Sequence, residues 1–183
     1  MATLPLSYLG EDVLRRPAEP VKKVSEDIRR LVEEMYETCA AEHGVGLAAP
    51  QVGVAKRVIV LDLSHLDIEP FCLINPVVKR RYGPLEADAE GCLSIPGVFM
   101  DVTRHRDVVV EGRDIKGRIF KVDATDLLAR AIQHEVDHLE GKLFIDMVDD
   151  KAKLEEELAA LEGRLVEIRA GRWQGLAAGV MVG

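Results

Sequence analysis

At 183 residues the chain is long enough for one compact domain with a sizeable core, and too short for two full ones. With 48% hydrophobic and 31% charged residues it has the composition of a soluble globular protein. A net charge of −8 leaves no basic excess for broad binding to DNA or to an anionic membrane.

The start, "MATLPLSYLGEDVLRRPAEP", has no apolar core behind a basic end, and no apolar run reaches the length of a membrane span. The cysteines, Cys39, Cys72 and Cys92, are odd in number and sparse, which reads as reduced thiols. A cytoplasmic, bacterial-type location is the expectation. Residues 1 to 24 read as irregular, broken by Pro5, Pro17 and Pro20. Ser25 is placed to cap a helix whose apolar face runs Ile28, Leu31, Val32, Met35 and Cys39. That spacing makes Cys39 a core residue. Gly44 is expected to take the left-handed position that closes the helix.

"GVGLAAPQVG" (44–53) follows, with almost no side-chain bulk, so another backbone or a ligand can approach it closely. No Lys-Ser or Lys-Thr follows its glycines, so it is not a phosphate loop. Its one polar side chain is Gln51, whose amide can donate to a developing oxyanion. Read alone, a tight connection with a solvent-facing glutamine fits equally well. "RVIVLDL" (57–63) and "FCLINPVV" (71–78) read as strands, with Cys72 inside the second as core. "HRDVVVEGRDIKGRIFKVDA" reads as a hairpin turning at "DIKG".

A long helix is expected from about Asp123, as its cap, to Gly141, which closes it. Strands followed by one central helix indicate an α+β fold. A last helix over about 151–170 repeats Leu154, Leu158, Leu161, Leu165 and Ile168 at four-three spacing. Only two heptads and an interior Gly163 favour packing on the parent domain over self-association. Residues 1–170 are therefore expected to form one catalytic domain, and the tail 171–183 has no assignable role.

Within the long helix, "QHEVDHLEG" (133–141) puts His134 and His138 one turn apart on one face, able to grip a single ion. Glu135 is one step round, placed to handle a proton on the attacking water. Chance produces such a pattern in roughly one chain of this size in a hundred. Two imidazoles need a third ligand. Downstream, Phe144 stands where a third histidine would follow Gly141, and Phe cannot bind metal. Glu155, Glu156, Glu157 and Glu162 lie on the charged side of the last helix. Upstream, Cys92 sits in the constrained stretch "EGCLSIPG" (90–97). A thiolate with two imidazoles leaves a fourth tetrahedral position open, as in a catalytic site. A buried structural cysteine is the alternative.

Taken in order, "GVGLAAPQVG", "EGCLSIP" and "QHEVDHLEG" resemble the three motifs of the peptide deformylases. The similarity runs from about "DVLRRPAEPV" to the final helix. It implies antiparallel β-sheets around a central metal-binding helix, with an N-terminal and a C-terminal helix. It implies removal of the formyl group from the formyl-methionine of nascent polypeptides, releasing formate. Cys92, His134 and His138 would bind the metal, with Glu135 as general acid and base. Gln51 and the backbone N–H of Leu93 would form the oxyanion hole. Fe²⁺ is the implied working metal, with Zn²⁺, Ni²⁺ or Co²⁺ able to occupy the same ligands. The ribosome near its exit tunnel is the implied partner, and a monomer is favoured over a dimer.

The small residues Gly44, Val45 and Gly46 are expected to leave room for the substrate backbone. Val45, Leu127 and His134 are expected to wall a methionine pocket, with Arg130 near its mouth, either supporting the site from behind its ligands or contacting the peptide. Glu90 and Arg104 read as an ion pair, either an internal brace for Cys92 or solvated. Two rivals stand beside this reading: an endopeptidase with a downstream carboxylate ligand, and a metal-stabilised module that binds peptide N-termini without cleavage.

Overall fold

The structure is a computed structural model that describes residues 3–172. The tail assigned to 171–183 therefore lies, from 173 on, outside the described residues.

Helix α1 (Glu26–Ala41) opens at Ser25, but the Ser25 side chain makes no capping bond; its carbonyl accepts the Arg29 N–H at 3.1 Å. Leu31, Val32, Met35 and Cys39 are buried as their spacing requires. The expectation for Gly44 is corrected. His43 takes the left-handed conformation, at φ 57°, and Gly44 does not. Gly44 is instead held small by contact, since a Cβ there would lie 3.1 Å from Leu93 Cδ1.

The strands β1 (Gly46–Ala48), β2 (Val58–Leu63), β3 (Ile68–Cys92), β4 (Ile95–Arg113) and β5 (Ile119–Thr125) form one antiparallel sheet in the order β1-β2-β3-β4-β5. Among the described residues it is a single sheet rather than several. The strand read at 71–78 runs on to Cys92, and its pairing with β4 slips at Ile74/Val77, Val78/Arg80, Tyr82/Leu85 and Glu90/Cys92. Such slips bend and twist a long ribbon, and one of them falls at Gly83-Pro84, where proline has no N–H to give. The β4–β5 hairpin turns at Asp114–Gly117, as its sequence indicates.

Helix α2 (Asp126–Leu139) carries the two histidines. Asp123 does not cap it. The strand continues through Asp123 to Thr125, which pairs with Asp107, and Asp123 accepts the Tyr82 hydroxyl instead. At the other end Gly141, at φ +70°, ends the helix as expected. Ala129, Ala131, Ile132, Val136 and Leu139 pack α2 against Ile59, Leu61, Val108 and Val110 of the sheet. Helix α3 (Lys151–Arg169) is capped by Asp150, which accepts the Lys153 N–H at 3.0 Å. Its Leu154, Leu161 and Leu165 are buried in one cluster with Cys92, Ile95 and Phe144. The apolar seam of α3 thus packs on the parent domain.

Candidate active site

Three elements converge below the buried face of α2. The first is the end of β3. Residues two apart on a strand share a face, so Glu90 and Cys92 both look toward α2. Between them Gly91 has no room for a side chain, because a Cβ would meet the Phe99 ring at 2.5 Å. The second is α2 itself, where the rings of His134 and His138 lie 5.0 Å apart. The third is the turn Ala49–Val52 after β1. There the Gln51 Oε1 accepts the Ala48 N–H at 2.8 Å. That bond turns the Gln51 amide nitrogen to within 3.5 Å of Cys92 Sγ.

One ligand atom each from Cys92, His134 and His138 lies within 4.8 Å of the others, and all three residues are buried. Cys92 Sγ is 3.3 Å from His138 Nε2. His134 Nδ1 donates to Glu90 Oε2 at 2.9 Å, and its Nε2 is without a protein partner among the described residues. Burial, and then His134, lower the His138 pKa well below its usual value, so this imidazole is neutral as a ligand must be. Burial pushes the Cys92 thiol up. Among the described residues no protein cation pairs with that sulfur, so a coordinated divalent ion is what would ionise it. The donor set fits a divalent metal.

Glu90 is braced as no other carboxylate of the site is. Its two oxygens accept from Arg104 Nε at 2.6 Å, Arg104 Nη2 at 2.9 Å and Arg130 Nη1 at 2.8 Å, besides His134. Arg104 reaches on to Asp137 at 2.6 Å. Burial opposes ionisation of Glu90, yet these bonds outweigh it and hold the carboxyl well below the usual range. The Glu90–Arg104 pair is therefore the internal brace. Of the two roles expected for Arg130, support of the site from behind its ligands is the one its bonds fit. The buried Arg130 bonds Glu90 and the carbonyls of Val102 and Glu86, and through Glu90 it supports His134.

Glu135 is the opposite case. It is fully buried, and neither carboxylate oxygen has a protein partner. Burial, and then the charge of Glu90, raise its pKa well above normal. Gly46 is what makes space for it, since a Cβ at Gly46 would lie 2.7 Å from Glu135 Oε1. On their side-chain faces, Gly44 and Gly46 accommodate Leu93 and Glu135. Val45 is buried in the cluster against which the half-buried Leu127 packs. Phe144, excluded as a ligand, stacks on His134 at 5.9 Å between centroids. The acids of α3 take no part in the cluster; Glu155, Glu156 and Glu162 are exposed.

Sequence reasoning missed the Glu90–His134 bond and the part of Asp137. The signal was present for Glu90, two residues before Cys92 on an extended segment.

The family profile described as polypeptide deformylase matches residues 3–154. A peptide deformylase of Microchaete diplosiphon is 47% identical over 158 residues, covering 85% of this chain and 84% of that protein. The crystal structure of a peptide deformylase from Synechococcus elongatus in complex with actinonin is 46% identical, with a TM-score of 0.83 over 87% of this chain and 86% of that one. The peptide deformylase structure from Legionella pneumophila gives a TM-score of 0.86 at 36% identity, over 92% and 98% of the two chains.

Proposed function

The chain belongs to the polypeptide deformylase family, and on that premise we propose a role for each residue of its site. It is a metal-dependent hydrolase that removes the N-formyl group from the formyl-methionine of newly made polypeptides, releasing formate. Cys92, His134 and His138 hold the ion. A divalent metal there supplies Lewis acidity, polarising the formyl carbonyl and lowering the pKa of water from 15.7 toward ~7.

The remaining work falls to the protein's own groups. Glu135 takes a proton from the water that attacks the formyl carbon and delivers it to the amine nitrogen as the C–N bond breaks. The products balance as formate and a free amino terminus. The Gln51 amide and the Leu93 N–H donate to the formyl oxygen as negative charge builds on it. Gly44, Val45 and Gly46 present backbone to the substrate. In support, β1 is an edge strand whose second side carries no sheet partner among the described residues, which suits addition of an extended peptide. Val45, Leu127 and the His134 ring wall the methionine pocket.

Fe²⁺ is the working metal, and Zn²⁺, Ni²⁺ or Co²⁺ suit the same soft and imidazole ligands. Residues 1–170 act as one catalytic domain, a reading supported by the cluster that α3 shares with Cys92. The protein works as a cytoplasmic monomer on chains emerging from the ribosome. Two observations agree with this: the apolar seam of α3 is used within the chain, and among the described residues no helix is long and apolar enough to cross a membrane.

One observation carries the assignment of Glu135: a buried carboxylate with no partner, beside the metal ligands and against Gly46. A buried polar group without a partner costs up to several kcal/mol, so its retention here points to a role in the chemistry. The test is anaerobic purification with Fe²⁺ and assay of amine release from a formyl-Met tripeptide. Glu135→Gln is expected to keep its metal and lose about 10²–10⁴ in kcat. A metal-loaded variant that turns over like the wild type removes Glu135 from this role.

A further inference from the structure

The segment ahead of α1 touches both motifs that supply the oxyanion donors. The Ser7 N–H donates to the Gln51 carbonyl at 2.7 Å, and the Leu9 N–H donates to the Ser94 carbonyl at 2.9 Å. Between them the Tyr8 N–H turns the other way, to the Glu11 carboxylate at 2.8 Å. This alternation is that of an extended chain, in which N–H groups two residues apart share one side, about 7 Å from each other. One acceptor belongs to Gln51 itself. The other lies one residue beyond Leu93.

No sheet ladder sets the distance between these two donors. Gln51 follows β1 and Leu93 follows β3, and β2 separates those strands in the sheet. We propose that residues 7–9 are a strap that sets the spacing of the Gln51 amide and the Leu93 N–H, and so are positioning residues for the reaction. The proposal rests on the oxyanion-hole reading above. The strap is itself anchored. Ser7 is buried, the Leu4 N–H donates to Thr38 Oγ1 of α1 at 2.8 Å, and Tyr8 and Leu9 pack against the cluster that contains Cys92. Its peptide groups carry the function, not its side chains. A composition reading of residues 1 to 24 as irregular does not reveal it, because backbone donors leave no residue-type signature.

Ser7→Pro and Leu9→Pro each delete one of the two donors. In folded, Fe²⁺-loaded protein each is expected to lower kcat about 10- to 100-fold, the scale of a misplaced reacting group, with metal content and KM unchanged. On a Gln51→Ala background the Ser7→Pro loss is expected to shrink, because the donor it positions is gone. Three results overturn the strap: proline variants with wild-type kcat, a Ser7→Pro loss of full size on the Gln51→Ala background, or an equal loss in Ser7→Ala, which keeps the N–H. An undiminished kcat in Gln51→Ala alone overturns the oxyanion reading instead. Where a proline variant does not fold, an amide-to-ester replacement at the same peptide exchanges only N–H for O. It is measured with the same expected and overturning results.

Discussion

Glu90 and Glu135 are both fully buried and both stand beside His134, yet their surroundings are opposite. Glu90 accepts from two guanidinium groups and an imidazole and is held ionised. Glu135 accepts from nothing, and burial favours its neutral form. The pattern extends beyond these two. Of the six buried side-chain polar atoms without a partner among the described residues, four belong to His134, Glu135 and His138. The fold saturates the groups that brace the site and leaves bare those to which we assign metal binding and proton transfer. Unsatisfied buried groups that cluster this tightly mark function rather than poor packing.

The contrast is sharpest when each carboxylate is changed to its amide. Glu90→Gln leaves Arg104 and Arg130 buried against a neutral group, and is expected to cost about 3–5 kcal/mol of stability. It also frees the His134 ring, so metal affinity is expected to fall about 10- to 100-fold. Glu135→Gln is expected to change stability by less than about 1 kcal/mol, since no pairing is lost. Urea denaturation of the two variants side by side checks this. Equal destabilisation breaks the comparison.

A smaller effect probes the bare side alone. Gly46→Ala brings a Cβ to 2.7 Å from Glu135 Oε1, and the carboxylate must move away. With φ at Gly46 outside the left-handed region, contact is the whole of the penalty. The expected outcome is a fall of about tenfold or more in kcat, with metal content and denaturation midpoint near wild type. A kcat at the wild-type level shows that Glu135 has freedom the packing does not suggest.

The divide between the two sides also marks what could be read without coordinates. Ligand spacing on α2, the apolar faces of α1 and α3, and the order of the motifs depend on residues a few positions apart. They were legible for that reason. The role of Arg130 was left open between two alternatives because its acceptors, Glu90, Val102 and Glu86, are 28 to 44 residues away. The Glu90–His134 bond spans 44. Asp123 was misread as a cap because pairing with β4 carries β5 on to Thr125, and a tertiary ladder overrides a local capping signal. Gly44 was misread for a local reason: α1 ends at Ala41, so the left-handed position falls on His43, one residue earlier. Chemistry written in side-chain type is visible in the chain. Support written in long-range contacts is not.

The smallest expected effect tests whether support reaches beyond Glu90. Asp146 lies in the turn Phe144–Met147, whose Phe144 stacks on His134. It accepts the Leu143 N–H at 2.9 Å and pairs with Arg15 at 2.6 Å. Burial acts to raise its pKa, but Arg15 and the Leu143 N–H outweigh this and lower it from 3.8. A carboxylate with a depressed folded pKa contributes stability above its unfolded pKa and loses it as pH falls through the folded one. The side chain is 40% exposed, so solvent screening limits the pair to about 0.2–1 kcal/mol. Asp146→Asn is expected to lower stability by that amount at pH 7, with the difference from wild type closing as pH falls below about 4. Because the Asp146 carboxylate bonds Leu143 and Arg15 rather than a residue of the site, kcat is expected to stay within about twofold, an energy change under ~0.5 kcal/mol. A stability gap that persists undiminished in acid assigns the effect to packing of the turn rather than to the charge of Asp146.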